Sequence, residues 1–551
     1  MAWKLQQEDG HFKAEWSNPM QGLDTSALAP YTKGLVDCAN FLIQNQSFIA
    51  STWNQIPFGD QGTFATTAHL LGFGELSFPV AGGSGPADVG DKFFYISQAS
   101  TSDLSAHVSN YIGEATTNVG TVSSDGGQAL GQLTWKTINQ TTYLSAPGLS
   151  QLFQIAIDPV TSAITFTELT DLLGCKFLNE FNGRLIALNI YQLQTGPPPF
   201  VQNFPYQIAW SAGGQQYGIW NVLDVSGNAT GAGFNNLPDV EDEITGGLFI
   251  GPTVYIIRRA GITEMTALNS GIQPFNFDHM WASHKGVGTV FPDTIAQYGP
   301  KGVFVANDDI YTIGLDGIAT IGGSAKRAIY RDLKNATIVK ASMVALNIND
   351  CPELCYVLAM QVNNGSIVKT YVYGFETKQW MILTLGITIT PVRFLVYITS
   401  LLMSNTILTL FDDSVSCDSI VIATQDTNAV PKFFYIPLLP SNSGTIGSIG
   451  ESRLNFPPVR VQTLKDITID SLVVYAEGTT GDTLQLSVDD IPFQLITLGT
   501  GRDSAKNLYT TYPSTKPAMT VLQPDLLLEA SGTIALGEIS MEGTIGEGRR
   551  P

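Results

Sequence analysis

Between about residues 60 and 440 the chain repeats one pattern without repeating its letters. A short run with apolar side chains at alternating positions is followed by Gly, Asn or Asp, and then by a second such run. "DKFFYIS" (Asp91 to Ser97), "LTWKTINQTTYLS" (Leu133 to Ser145), "GRLIALNIYQ" (Gly183 to Gln192) and "GVFVANDDIYTIGLDG" (Gly302 to Gly317) are examples. A period of two predicts strands with one buried face, and turn residues between them predict hairpins. "DPVTS" (Asp158 to Ser162) and "NNGS" (Asn363 to Ser366) have hairpin chemistry, and "FETKQW" (Phe375 to Trp380) reads as a turn leading into a strand with a buried aromatic. In Gly302 to Gly317 the Asp and Gly residues are expected to serve turns, because Asp bonds its own backbone and Gly tolerates positive φ. Sheets of four short strands recurring every ~40–50 residues predict a β-propeller, with a set of β-sandwiches as the competing all-β architecture.

The flanks read differently. Residues 1–60 have weak periodicity: Leu35, Ala39 and Leu42 have rough helical spacing that Asn40 and Phe41 blur, so an N-terminal arm or opening strands are expected. Near residue 437 "PLLPSNSGTIGSIGES" reads as a linker, and beyond it "DITIDSLVVYAEG", "DTLQLSVDD" and "TIALGEISMEGTI" predict a small sandwich-like β module. In the first of these Ile467, Ile469 and Leu472 are expected to share a face. The expected division is therefore an N-terminal arm over 1–60, a propeller over 61–440 and a C-terminal β module over 441–551. One helix is predicted over Ser324 to Lys334, "SAKRAIYRDLK", with Ser324 as its cap. It gathers Lys326, Arg327, Arg331 and Lys334, the densest basic cluster in the chain, readable as a solvated face or as a docking site for an acidic neighbouring subunit.

Composition sharpens this picture. Of 551 residues 44% are hydrophobic and only 14% charged, and the formal net charge is -20. So acidic a surface repels phosphates, which argues against a nucleic-acid reader but suits a wall past which DNA slides. Cys38, Cys175, Cys351, Cys355 and Cys417 are too scattered for a disulfide framework, and "CPELC" lacks the further ligands of a zinc site, so buried thiols are expected. The run "RFLVYITSLLMSNTILTLF" (Arg393 to Phe411) is broken by polar residues and predicts two buried strands rather than a membrane span.

Catalytic patterns are weak. His279 and His284 in "DHMWASH" fit no common metal spacing, and no phosphate-binding loop or nucleophile elbow is found. The acidic groups "DVEDE" (Asp239 to Glu243), "NDD" (Asn307 to Asp309) and Asp489-Asp490 read as solvated turns, since neighbours on a strand point to opposite faces. No enzyme activity, cofactor or metal is expected.

The order "TVYIIRRAGITEM … GVGTVFPDTIAQYGPKGVFVANDDIYTIGLDGIATIG" resembles the β-propeller virion proteins of tailed bacteriophages. Tyr255, Arg258, Gly286, Gly288, Pro292, Gly302, Phe304, Asp309, Tyr311 and Gly317 fill the family's pattern. "RLIALNIYQ … FPYQIAWSAGG" and "YVYGFETKQW" are similar to its blades, and "VQTLKDITIDSLVVYAEGTTGDTLQLSVD" to its closing β module. The resemblance covers roughly residues 170 to 490. It implies a structural virion protein of a short-tailed phage, synthesised in the host cytoplasm and built into the tail. There a nozzle ring, usually a homo-hexamer, lies below the portal and adaptor, seats tail fibres or a tail needle, and passes DNA at ejection without specific binding or membrane insertion. The alternative expectation is a carbohydrate-binding propeller for host recognition, with Trp210, Trp220 and Trp380 as candidate stacking residues, although their strand positions favour core packing.

Overall fold

The computed structural model describes most of residues 68–386 and 467–545 and, outside these ranges, short isolated strands. The protein is all-β. Among the described residues the chain forms seven four-stranded antiparallel sheets, the arrangement of a seven-bladed β-propeller. The blades open with Ala68–Leu76, Thr134–Ile138, Gly174–Phe181, Ile244–Ile250, Ala296–Tyr298, Ile338–Ile348 and Arg393–Val396. In blades one to six the four strands follow in chain order. The seventh takes three strands in order, Arg393–Val396, Val421–Gln425 and Pro431–Tyr435, and its fourth from the other end of the chain: Asn54–Ile56 pairs antiparallel with Pro431–Tyr435.

The opening strands of successive blades pack on one another, and that of blade seven packs back on that of blade one. The contact between blades one and two includes a backbone bond from Leu133 N–H to the Leu71 carbonyl at 3.0 Å. These seven strands therefore form a closed ring around a central channel. The opening strands remain the inner edges of their sheets, and packing round the ring keeps those edges short and protected.

Alternation explains how each blade buries its faces. Phe153–Ile157 alternates buried and half-buried positions residue by residue. Facing sheets then share a core: Phe181, Ile186, Leu188 and Ile208 of blade three pack with Ile244, Val254, Ile256 and Phe275 of blade four. Each fully buried aliphatic or aromatic side chain contributes about 1.5–3 kcal/mol. Polar bonds stitch the blades at fixed points. Cys175 N–H donates to Ser145 Oγ (3.0 Å), Asn189 Nδ2 to the Ile244 carbonyl (3.0 Å), Phe249 N–H to Gln297 Oε1 (2.7 Å) and the Tyr356 hydroxyl to the Thr294 carbonyl (2.8 Å).

Both hairpin signals hold, since "DPVTS" joins Phe153–Ile157 to Ile164–Glu168 and "NNGS" joins Cys351–Val362 to Ile367–Gly374. Trp380 follows its turn and is buried against Tyr356 and Tyr373. Cys175 and Cys355 are buried; burial pushes the Cys175 thiol up to about 12, and burial with the Glu353 charge pushes Cys355 well above the ordinary thiol value. Arg393 to Phe411 begins with strands Arg393–Val396 and Thr399–Ser400, while its later part and the linker at residue 437 lie outside the described residues. No helix among the described residues is long and apolar enough to cross a membrane.

The terminal segments join each other. Lys4–Glu8 and His11–Trp16 belong to one sheet with Ile467–Gly478 and Ile534–Ile545, and Asp37–Ala39 pairs with Ser452–Asn455 in another. In Ile467–Gly478 a register shift between Ile469 and Ser471 changes which side chains share a face. That bulge is why Ile469 and Leu472, three apart, are both buried together with Val474.

Candidate interaction surface

The predicted helix exists, with one correction. Helix α1 spans Lys326–Asn335 and its N-cap position is held by Ala325, not Ser324. The preceding Gly323–Ala325 forms a 3-10 turn, and Lys326 N–H bonds the Gly322 carbonyl at 3.0 Å, so the chain is already coiled before α1 begins. The helix fills the wedge between blades five and six. Ala328, Ile329 and Leu333 are buried with Val303, Ile310, Tyr356 and Tyr371.

Polar bonds fix its position. Tyr330 donates through its hydroxyl to the carbonyls of Ala306 and Asp309. Lys326 reaches Asp309 Oδ2 at 3.0 Å. Asp332 is buried and accepts from the Tyr371 hydroxyl at 2.7 Å and from Lys369 Nζ at 3.0 Å. Burial would raise the Asp332 carboxyl, but these two bonds, with the Lys369 and Arg331 charges, outweigh it and hold the group below its ordinary value.

The four basic candidates therefore divide. Lys326 is committed to Asp309 inside the molecule. Arg327, Arg331 and Lys334 stand at i, i+4 and i+7 and form one exposed stripe on the side of α1 away from the core. Arg331 touches Asp332 Oδ1 through Nε at 3.4 Å yet keeps 68% of its side chain exposed. Lys334, in the last turn, suits the helix dipole, but the N-terminal part of the stripe works against the stability of α1. Arg327 lies in the first turn, where no acidic residue offsets it against the helix dipole, and the Arg327–Arg331 pair is a like-charge neighbour worth about 0.2–0.5 kcal/mol of repulsion.

The other candidates take structural places. Trp210, Trp220 and Trp380 are all buried, so none offers a face to a sugar. Within "NDD", Asn307 Nδ2 donates to the Arg259 carbonyl at 2.9 Å and Asp308 accepts from the Tyr311 hydroxyl at 2.9 Å, while Asp309 anchors α1. Asp242 and Glu243 of "DVEDE" bind Ala260 N–H and Lys176 respectively. The strand Phe275–His279 carries His279 at its end, and Asp489-Asp490 lies outside the described residues.

One surface was not anticipated. The connection from Phe200–Trp210 to Gly233–Asn236 in blade three folds into a small hairpin bridged at Leu223 and Ala229. Asp224 Oδ1 accepts from Ser226 N–H and Asn228 N–H, both at 2.8 Å, which stiffens the tip. Val222, Leu223 and Val225 are nonetheless exposed. The sequence signal was the Asx-turn run "LDVSGN", flanked by apolar residues that a period-two reading assigns to a core.

No family model and no curated protein matches this chain. Solved structures match it as distant likenesses. A 6-phosphogluconolactonase assigned from Bacteroides uniformis is 11% identical with a TM-score of 0.32, over 61% of this chain and 97% of that one. An exo-beta-1,3-galactanase from Phanerochaete chrysosporium is 10% identical with a TM-score of 0.23, over 90% and 99%. AztD from Citrobacter koseri is 12% identical with a TM-score of 0.30, over 62% and 93%. At these values the likeness carries no functional argument, and the fold rests on the sheet topology described above.

Proposed function

We propose that this chain is a structural subunit of the tail of a short-tailed bacteriophage, one copy of a ring that continues the DNA-exit channel below the portal and adaptor. The observation that carries the reading is the work done by the residues of the resemblance. Arg258 is almost fully buried. Phe304 stacks on Tyr311 with centroids 5.8 Å apart. A Cβ on Gly302 would lie 2.5 Å from Leu248 of the neighbouring blade, and Gly317 has a φ of +106°. Asp309 anchors α1, and Pro292 opens a 3-10 turn. Each serves turns, blade contacts or packing, as expected of a family defined by architecture.

In this reading the ring forms between unlike surfaces of neighbouring copies. The stripe Arg327, Arg331 and Lys334 meets acidic side chains of the next subunit, and the apolar tip Val222, Leu223 and Val225 packs against another subunit. The net charge of -20 keeps DNA from adhering as it passes. Burial of Trp210, Trp220 and Trp380 counts against the sugar-stacking alternative based on those residues.

A triple charge reversal, Arg327→Glu, Arg331→Glu and Lys334→Glu, tests the contact. The expected result is loss of assembly by a chain that keeps its fold by circular dichroism, because all three side chains are exposed. Wild-type assembly should itself weaken as salt rises. Assembly of the variant at the wild-type level would contradict the proposal.

A further inference from the structure

Beside the turns between first and second strands, a cavity of about 590 Å³ opens between blades three and four. The opening strands of blades two, three, four and five each contribute to its wall: Lys136, Glu180, Phe249 and Gln297. We propose that this cavity is a binding site for a carboxylated saccharide of one or two sugar rings.

The wall is stiff where it must be. Gln297 brackets the backbone of Phe249, accepting from its N–H and donating to its carbonyl, and donates again to the Gly299 carbonyl at 3.0 Å. Asn182 and Gly183 form the tight turn of blade three, both with left-handed φ of 52° and 70°, and Glu180 Oε1 accepts Gly183 N–H at 2.8 Å. Asn182 is thereby held at the rim on a rigid hairpin.

The remaining polar groups are unspent. Among the described residues Lys136 forms no ion pair, and the Asn182 amide and the Thr253 and Thr266 hydroxyls form no side-chain hydrogen bond. Asn179 uses its carbonyl oxygen on Glu180 N–H and keeps its amide hydrogens. The site thus offers donors and acceptors together, with the Lys136 ammonium a pure donor, beside the half-buried side chain of Phe249. Amides and hydroxyls beside apolar wall atoms match a polyhydroxylated ring, and an unpaired ammonium matches one carboxylate on it. The volume falls in the range of small-ligand sites. Among the described residues Glu180 is the single carboxylate in the lining, so they do not assemble the two-carboxylate machinery of glycoside hydrolysis. The proposed chemistry is therefore binding.

Isothermal titration of the full chain with digalacturonic acid and with neutral galactobiose tests the assignment. The expected result is binding of the acidic disaccharide, weakened at least about tenfold by Lys136→Met, which removes the ion pair with the ligand. Asn182→Gly keeps the left-handed turn and should weaken binding of the acid several-fold. Both variants should keep the wild-type unfolding midpoint. No binding by the wild type up to about 10 mM, equal affinity for the neutral disaccharide, or no change in either variant would overturn the proposal. The tail reading does not use this cavity and stands or falls separately.

Discussion

Asp332 lies on the buried side of α1 with Tyr371 and Lys369 as its partners, and its neighbour Arg331 is exposed. Removing the carboxylate strands a hydroxyl and an ammonium at a blade junction, so Asp332→Ala is expected to cost about 2–4 kcal/mol in a denaturant titration. Because its carboxyl is held below the ordinary value, Asp332 contributes stability that is complete above roughly pH 4 and is lost as pH falls through the lowered value. Asp332→Asn should flatten that acid limb of the stability curve, and an unchanged limb would count against the partners assigned to Asp332. Residue roles of this kind were only partly legible in the sequence. The turn duties of Asp308 and Asp309 follow from local chemistry. The tie between Asp309 and Lys326 does not, because it depends on where the chain folds α1 back onto the blade. Asn189 is a further example: it is buried, has a φ of 58°, sits at the bulge between Leu188 and Ile190, and reaches the next blade.

At the scale of elements, hairpins were readable because strand period and turn residues are local properties, as "NNGS" and "DPVTS" illustrate. In Ile467–Gly478 the expected shared face of Ile469 and Leu472 holds, and its cause is one extra residue after Ile469 that inverts the alternation a strict period assumes. Least legible was the closing strand. Nothing in "NQI" announces that Asn54–Ile56 completes a blade whose other strands begin at Arg393. The segment read as an arm therefore latches the propeller, and its other strands pair in the terminal sheets. A chain lacking residues 1–60 would expose the edge of Pro431–Tyr435 and remove strands from both terminal sheets. The expected outcome is a lowered unfolding midpoint with concentration-dependent aggregation by light scattering. A truncated chain as stable and soluble as the full one would show that the latch contributes little.

For the whole molecule, two kinds of charge distribution are superposed. The total of -20 disfavours adhesion to DNA, while α1 concentrates three exposed positive side chains along one stripe. A closed ring of blades supplies a rigid body on which such patches hold fixed positions, which is what a subunit of a larger ring requires. The sequence carried the all-β class, the propeller and the basic cluster. It could not carry blade number, which depends on ring closure, or the Leu223–Ala229 hairpin, whose exposed apolar residues imitate a core strand. The most direct test of the proposed tail role is electron microscopy of the purified chain, alone and mixed with a portal–adaptor complex from the source that encodes it. The account predicts a ring of several copies seated below the adaptor with an opening that passes duplex DNA. A chain that remains monomeric alone and fails to bind that complex would contradict it.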